Sequence, residues 1–270
     1  MRTTTVAAVI LVAVTTSAFA LPAVAEDSEA EIAKKSLNPV AAMISLPMKL
    51  DYDRKIGPLE QGDKYQLTVQ PVIPFSIGQD WNLISRTIVP LINQKNVTPT
   101  SGTQSGLGDI TQQFYFSPKA PTAEGWIWGV GPQALLRTGT DDLSNNKWGL
   151  GLTGVVLKQE HGWTYGALVN QMWSVSGSSQ ANDISSAFVQ PFLSYTTPKF
   201  TTYGINTEST YNWKSSKWSV PINATVTQML KVHGQLLTLQ GGVRYWAASP
   251  DGIGPGGLGL RFQVTFLLPK

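Results

Sequence analysis

The side chains best suited to acid–base chemistry in this 270-residue chain are two histidines, His161 and His233. A barrel-borne lipid hydrolase would need one of them beside a serine, with a third group orienting it. Each histidine instead stands directly before a glycine, Gly162 or Gly234, in a stretch that reads as a tight turn. No serine is placed beside either one by spacing, so a turn role outweighs a catalytic one and no enzyme activity is expected. Cysteine is absent, which removes disulfides and thiolate metal ligands. Neither a metal nor a cofactor is expected.

What remains is the chemistry of a polar wall. Lys49, Asp51, Arg86, Asp109, Gln113, Gln133, Asn170, Asn206, Glu208, Arg244 and Arg261 all fall on the polar faces of successive alternating segments. Charges of both signs facing a shared space suit a pore that selects a small solute. They equally suit an internal ion-pair network that fills and stabilises the space. Lys49, Asp51, Arg244 and Arg261 group near the outer ends of the first and the last two segments, where a network is a natural outcome. Arg86 and Glu208 lie nearer mid-height and are the better pore candidates.

The elements that position these residues follow from period-2 alternation. The first segment sets Ile44, Leu46, Met48, Leu50 and Tyr52 against Ser45, Pro47, Lys49 and Asp51. The second sets Tyr65, Leu67, Val69, Ile73 and Phe75 against Gln66, Thr68 and Gln70. Similar segments begin near Trp81, Leu107, Trp126, Trp148, Trp163, Ser185, Thr202, Trp218, Gln235 and Leu258, giving about 12 strands by this alternation. The even connections are mostly short (76–80, 117–125, 159–162, 196–200, 231–234), and the odd ones are mostly longer and polar (92–106, 247–257), with 214–217 as an exception. Short periplasmic turns and long outer loops are the pattern of an outer-membrane barrel.

Tryptophan sharpens that expectation. All nine lie at or near segment ends, where amphipathic rings meet the two headgroup zones. Parity places Trp81, Trp126, Trp128 and Trp163 on the periplasmic rim, and Trp148, Trp173, Trp213 and Trp218 on the outer rim, all facing lipid; Trp246 turns inward. A soluble sandwich would also alternate. However, only 14% of residues are charged, too few to clothe an aqueous exterior. Twelve strands would also enclose more space than side chains fill, since about eight is the packed limit. The fold class is therefore all-β, a transmembrane antiparallel up-and-down barrel.

Some details sit awkwardly with it. Leu107 falls on the polar face, and Phe188 and Phe192 make the eighth strand apolar on both faces. Prolines 47, 71, 74, 90, 132, 191 and 221 lie within strands although a closed barrel has no edge to host them; β-bulges are the expected accommodation.

Ahead of the barrel, residues 1–25 read as a secretory signal: Arg2, an apolar run, then Ala23-Val24-Ala25, with Ala20 as an alternative cleavage site. Residues 26–39 read as a periplasmic segment with a short helix, Ser28 and Glu31 making a capping-box pattern, and 40–270 as the barrel. With Arg2 removed, nineteen basic side chains face seventeen acidic ones, too small an excess to argue for nucleic acid. The partners implied are outer-membrane lipid and a small solute.

Taken in order, Asn38-Pro39, Gln70-Pro71-Val72-Ile73-Pro74, Arg86-Thr87-Ile88-Val89-Pro90, Gly106-Leu107-Gly108-Asp109, Pro191-Phe192-Leu193-Ser194-Tyr195, Trp218-Ser219-Val220-Pro221 and the closing Leu268-Pro269-Lys270 resemble the MetA-pathway of phenol degradation family of outer-membrane proteins, some of which carry the misnomer neuromedin U. The resemblance spans nearly the whole mature chain. It implies a barrel that transports small molecules, apolar or aromatic ones included, with no catalytic set. One departure is Arg137, where that pattern would hold a proline.

Glycines 129, 131, 149, 151, 166, 204, 242 and 259 share the lumen-facing parity, and five lie on adjacent strands. A wall without side chains leaves room for a solute or for an inserted segment such as residues 28–37. The functions in contention are a diffusion channel, a closed structural or adhesive barrel acting through its loops, and, more remotely, a lipid hydrolase.

Overall fold

The computed structural model describes residues 29–140 and 142–268. The expected signal sequence and the expected Ser28 cap lie outside the described residues. The chain forms one closed antiparallel sheet of twelve barrel strands, three of them interrupted. They are β1 (Ile44–Ile56), β2 (Gly62–Val69 and Val72–Ile77), β3 (Trp81–Lys95), β4 (Thr103–Leu107 and Ile110–Pro118), β5 (Trp126–Leu136), β6 (Lys147–Glu160), β7 (Trp163–Gly177), β8 (Ser185–Thr196), β9 (Thr201–Thr207 and Ser209–Asn212), β10 (Lys217–Val232), β11 (Gln235–Ala248) and β12 (Gly257–Leu268). Each pairs with its neighbours in sequence, and β12 pairs with β1 from Ile44↔Leu268 to Tyr52↔Leu260. Closure leaves no strand edge with unpaired backbone groups, the condition for crossing hydrocarbon. A short helix, α1 (Glu29–Ser36), precedes the barrel.

Alternation sorts the side chains as the sequence implies. Outward positions are apolar and exposed, among them Val130, Leu150, Leu152, Tyr203, Ile205 and Phe262. Inward positions carry the buried polar set. Seven of the eight lipid-facing tryptophans are exposed on the outer surface; Trp128 is half-buried beneath Trp81, ring centroids 5.8 Å apart. The rim at Trp81 and Trp163 also holds the short turns, so it is the periplasmic one. Its rings pair around the barrel, Trp126 with Tyr165 and Trp163 with Tyr195. At the other rim Tyr211 stacks with Trp213 and Trp218.

Two histidines close periplasmic turns. His161 (φ 50°) and Gly162 (φ 82°) link β6 to β7, and His233 (φ 49°) and Gly234 (φ 85°) link β10 to β11. Two successive positive-φ residues are the type I′ turn that matches the twist of a tight hairpin.

Three expectations change. Residues 92–106 are not all loop: Ile92 to Lys95 pair with Gly106 to Thr103, extending the β3–β4 hairpin beyond the apolar band. A hydrogen bond from Gln94 Nε2 to Gln104 Oε1, at 2.7 Å, runs across this polar extension. Leu107 faces outward after all. The register against β3 steps by one residue between Leu91↔Leu107 and Ile88↔Thr111, so a bulge at Gly108 and Asp109 reverses the parity of β4. Bulges also account for only two of the seven prolines. Pro90 accepts from Gly108 N–H at that bulge, and Pro221 sits where the β10–β11 register shifts. The other five lie in unshifted ladders. There the missing donor appears as a local gap, as at Gln70 and Pro71 or where the β8–β9 ladder breaks between Val189↔Ser209 and Phe192↔Asn206, beside Pro191.

Candidate functional site

The lumen is built in three storeys. At the periplasmic mouth α1 lies across the opening. Ile32 and Ala33 pack with Ala41, Met43, Met229, Leu236 and Leu267, and Gln159 Nε2 donates to the Lys34 carbonyl at 2.9 Å. The short helix has too few residues to be stable alone; this apolar face holds it.

Above it, residues 38–43 cross the lumen toward β1. Val40 packs among Ile84, Tyr115, Val155, Leu157 and Leu168, with Phe188 and Phe192 alongside. This apolar belt explains why β8 is apolar on both faces. It also locates the inserted segment: residues 29–36 cover the mouth, and it is Val40 that enters the glycine wall. A Cβ added at Gly129 would stand 3.1 Å from the Val40 side chain. The other lumen glycines serve differently. At Gly131, Gly151 and Gly166 a Cβ would strike the neighbouring strand's backbone, so these positions permit close strand approach rather than leaving space. Gly242 and Gly259 lie directly across from Arg261 and Arg244, pairing the smallest residue with the largest.

The outer storey is an ion-pair network. The Arg261 guanidinium is clamped between two carboxylates: Nε to Asp51 Oδ1 at 2.6 Å and Nη2 to Oδ2 at 3.0 Å, then Nη1 and Nη2 to Glu208 Oε1 and Oε2 at 3.0 and 2.7 Å. Lys49 Nζ reaches Glu208 at 2.9 Å, and Arg244 reaches Asp51 at 2.9 Å. Asp53, which the sequence reading passed over, accepts from Trp246 Nε1 at 2.7 Å, while Arg244 lies 4.7 Å over that ring. Trp246 thus turns inward. Lys49, Asp51, Arg244 and Arg261 come together as a network, and Glu208 joins it from β9, across the lumen. Only strand closure could reveal that last contact, because 53 residues separate Glu208 from Arg261.

Other polar-face residues pair with one another within the wall. Gln113 donates to Gln133 at 2.8 Å and accepts from Tyr115 at 3.0 Å, and Asn223 donates to Asn206 at 2.9 Å. Asp109 is turned to a different use. Its two oxygens accept from Gly139 N–H, Ser144 Oγ, Asn145 N–H and Asn145 Nδ2 at 2.6–3.1 Å, holding the β5–β6 loop. Arg137 donates to Asn146 in the same loop. Among the described residues Arg86 keeps one hydrogen bond, to Gln70 at 3.0 Å.

Between the belt and the network lies a chamber of about 270 Å³, lined by Arg86, Gln70, Lys49, Glu208, Gln190 and Asn206 together with Val72, Leu168 and Phe192.

No family model and no curated protein sequence matches the chain. Among solved structures it is similar to the COG4313 outer membrane channel from Pseudomonas putida F1, with a TM-score of 0.65 at 14% identity over 84% of this chain and 96% of that one. More distant are an outer membrane phospholipase from Salmonella typhi (TM-score 0.48, 10% identity, 89% and 96% covered) and a BenF-like porin from Pseudomonas fluorescens Pf-5 (TM-score 0.26, 7% identity, 84% and 98% covered). These two are too dissimilar to bear on the argument. Closed strands, an apolar belt flanked by aromatic rings and a polar interior define a bacterial outer-membrane β-barrel.

Proposed function

We propose that this barrel is an outer-membrane channel through which small molecules diffuse. The observation that carries the reading is the polar chamber at mid-height, roofed by charges and floored by a segment joined to the wall covalently only at Ile44. The fold shared with a COG4313 channel and the resemblance to the MetA-pathway family support it, and the family suggests small apolar or aromatic solutes. On this reading residues 1–25 direct export, residues 26–39 are a periplasmic element, and the lumen residues Lys49, Arg86, Asn170, Asn206, Glu208, Arg244 and Arg261 line or frame the path.

A second reading, a closed structural barrel, is favoured by one observation: the apolar belt around Val40 crosses the lumen. Planar-bilayer recording separates them. The full mature chain should show a small conductance, and a variant lacking residues 29–43 a conductance several times larger. No current from either protein would leave the structural barrel standing.

A further inference from the structure

Among the described residues the chamber wall holds a cation, Arg86, whose charge no carboxylate answers. Lys49 and Arg261 line the same space, yet both are held by Glu208, and Arg261 by Asp51 as well. Glu208 is in turn engaged by Lys49, Arg261 and, at 3.9 Å, Arg244. Arg86 stands apart. Among the described residues it has no carboxylate partner, and its hydrogen bond to the Gln70 amide uses one of five guanidinium donors. The Gln190 side chain, also in the chamber wall, makes no side-chain hydrogen bond among the described residues. Below these groups, Val72, Leu168 and Phe192 give the chamber an apolar floor, continuous with the belt around Ile84.

A planar fork of unused donors matches a carboxylate better than any other common anion of that size. A partly desolvated guanidinium gains more from such a partner than from water. The Val72, Leu168 and Phe192 side chains have no polar group to offer, so they suit the hydrocarbon part of the same molecule. The chamber lies below the usual 300–1,000 Å³ of drug-sized pockets, which confines the occupant to a small molecule.

We propose that the mid-height chamber is a binding station for a small monocarboxylate with an apolar body, its carboxylate on Arg86 and its body on Val72, Leu168 and Phe192. The station rests on the channel reading for how a solute arrives, and it gives that reading a substrate class. Glu208 does not oppose it, because that charge is spent on Lys49 and Arg261.

Titration calorimetry on the full mature chain in detergent, with benzoate as probe and benzyl alcohol as its uncharged counterpart, tests this. Benzoate should bind at least tenfold more tightly than benzyl alcohol. Arg86→Gln should weaken benzoate about tenfold or more, the scale of a lost charge-assisted hydrogen bond, and leave benzyl alcohol unchanged. Arg86→Lys, which keeps the charge and loses the fork, should fall between. Equal affinity of the native chain for the two probes overturns the proposal without any variant. Equal benzoate affinity in native and Arg86→Gln chains overturns it too. Binding without bilayer current refutes the channel reading alone, and current without carboxylate preference refutes the station alone.

Discussion

Val40 and Gly129 meet across the lumen, so each constrains the other. Placing a valine at 129 puts a Cβ 3.1 Å from Val40 in a packed belt, and overpacking of that kind costs about 1–3 kcal/mol. Gly129→Val should therefore lower stability in urea by that amount, and adding Val40→Ala should restore most of it. Equal losses with and without Val40→Ala would show that the segment does not sit there. Arg261 makes a stronger case. Its side chain is 3% exposed and held by two carboxylates, so Asp51→Ala leaves a buried, half-paired guanidinium. Breaking such a pair costs about 3–5 kcal/mol, readable as a shift of the unfolding midpoint.

At the level of elements, the turns and interruptions carry the information. The His161–Gly162 turn depends on left-handed backbone, not on an imidazole. His161→Asn should be nearly neutral, because asparagine adopts positive φ readily, whereas His161→Val should cost about 1–2 kcal/mol; comparison of the two unfolding curves checks this. A loss of equal size in both would assign the imidazole a role of its own. Outside the bilayer, the β7–β8 loop is tied to β6 by Lys147 Nζ and Asp183 Oδ1 at 2.9 Å. The hydrogen bond from Lys147, then its charge, holds the Asp183 carboxyl below its ordinary pKa. A depressed folded-state value means the tie is fully present above the usual carboxylate range and is lost as pH falls through the lowered one. Amide protection in residues 178–184, taken relative to the intrinsic exchange rate at each pH, should fall as pH drops below the usual carboxylate range, and Lys147→Gln should give the low protection at every pH.

The whole molecule is organised by the two solvents it faces. Outside, rings at both rims meet the headgroups; inside, polar groups must find partners within the wall, which is why Gln113, Gln133, Asn206 and the ion pairs bond to one another. Lipids brominated near the headgroup should quench Trp81, Trp163, Trp173 and Trp218 strongly, and single-tryptophan chains retaining only Trp246 weakly. Strong quenching of Trp246 would contradict its inward contact with Asp53.

The sequence by itself determined the class, the strand starts and the facing of most side chains, because alternation is a local property and lipid imposes it on every strand. Ile44, Trp81, Trp126, Trp163, Ser185 and Gln235 each open a strand where alternation begins. Tertiary structure alone decided how the interior is used. Glu208 was legible as a lumen residue, but its partners Lys49 and Arg261 lie across the barrel on strands far away in the chain. Asp109 had the right parity for a pore and was taken by a loop, since the bulge at Gly108 aims its carboxylate at 139–145. Val40 carried no period-2 signal at all, because a segment crossing a lumen belongs to no strand. Parity settles which face a residue is on; only closure of the sheet settles what it meets there.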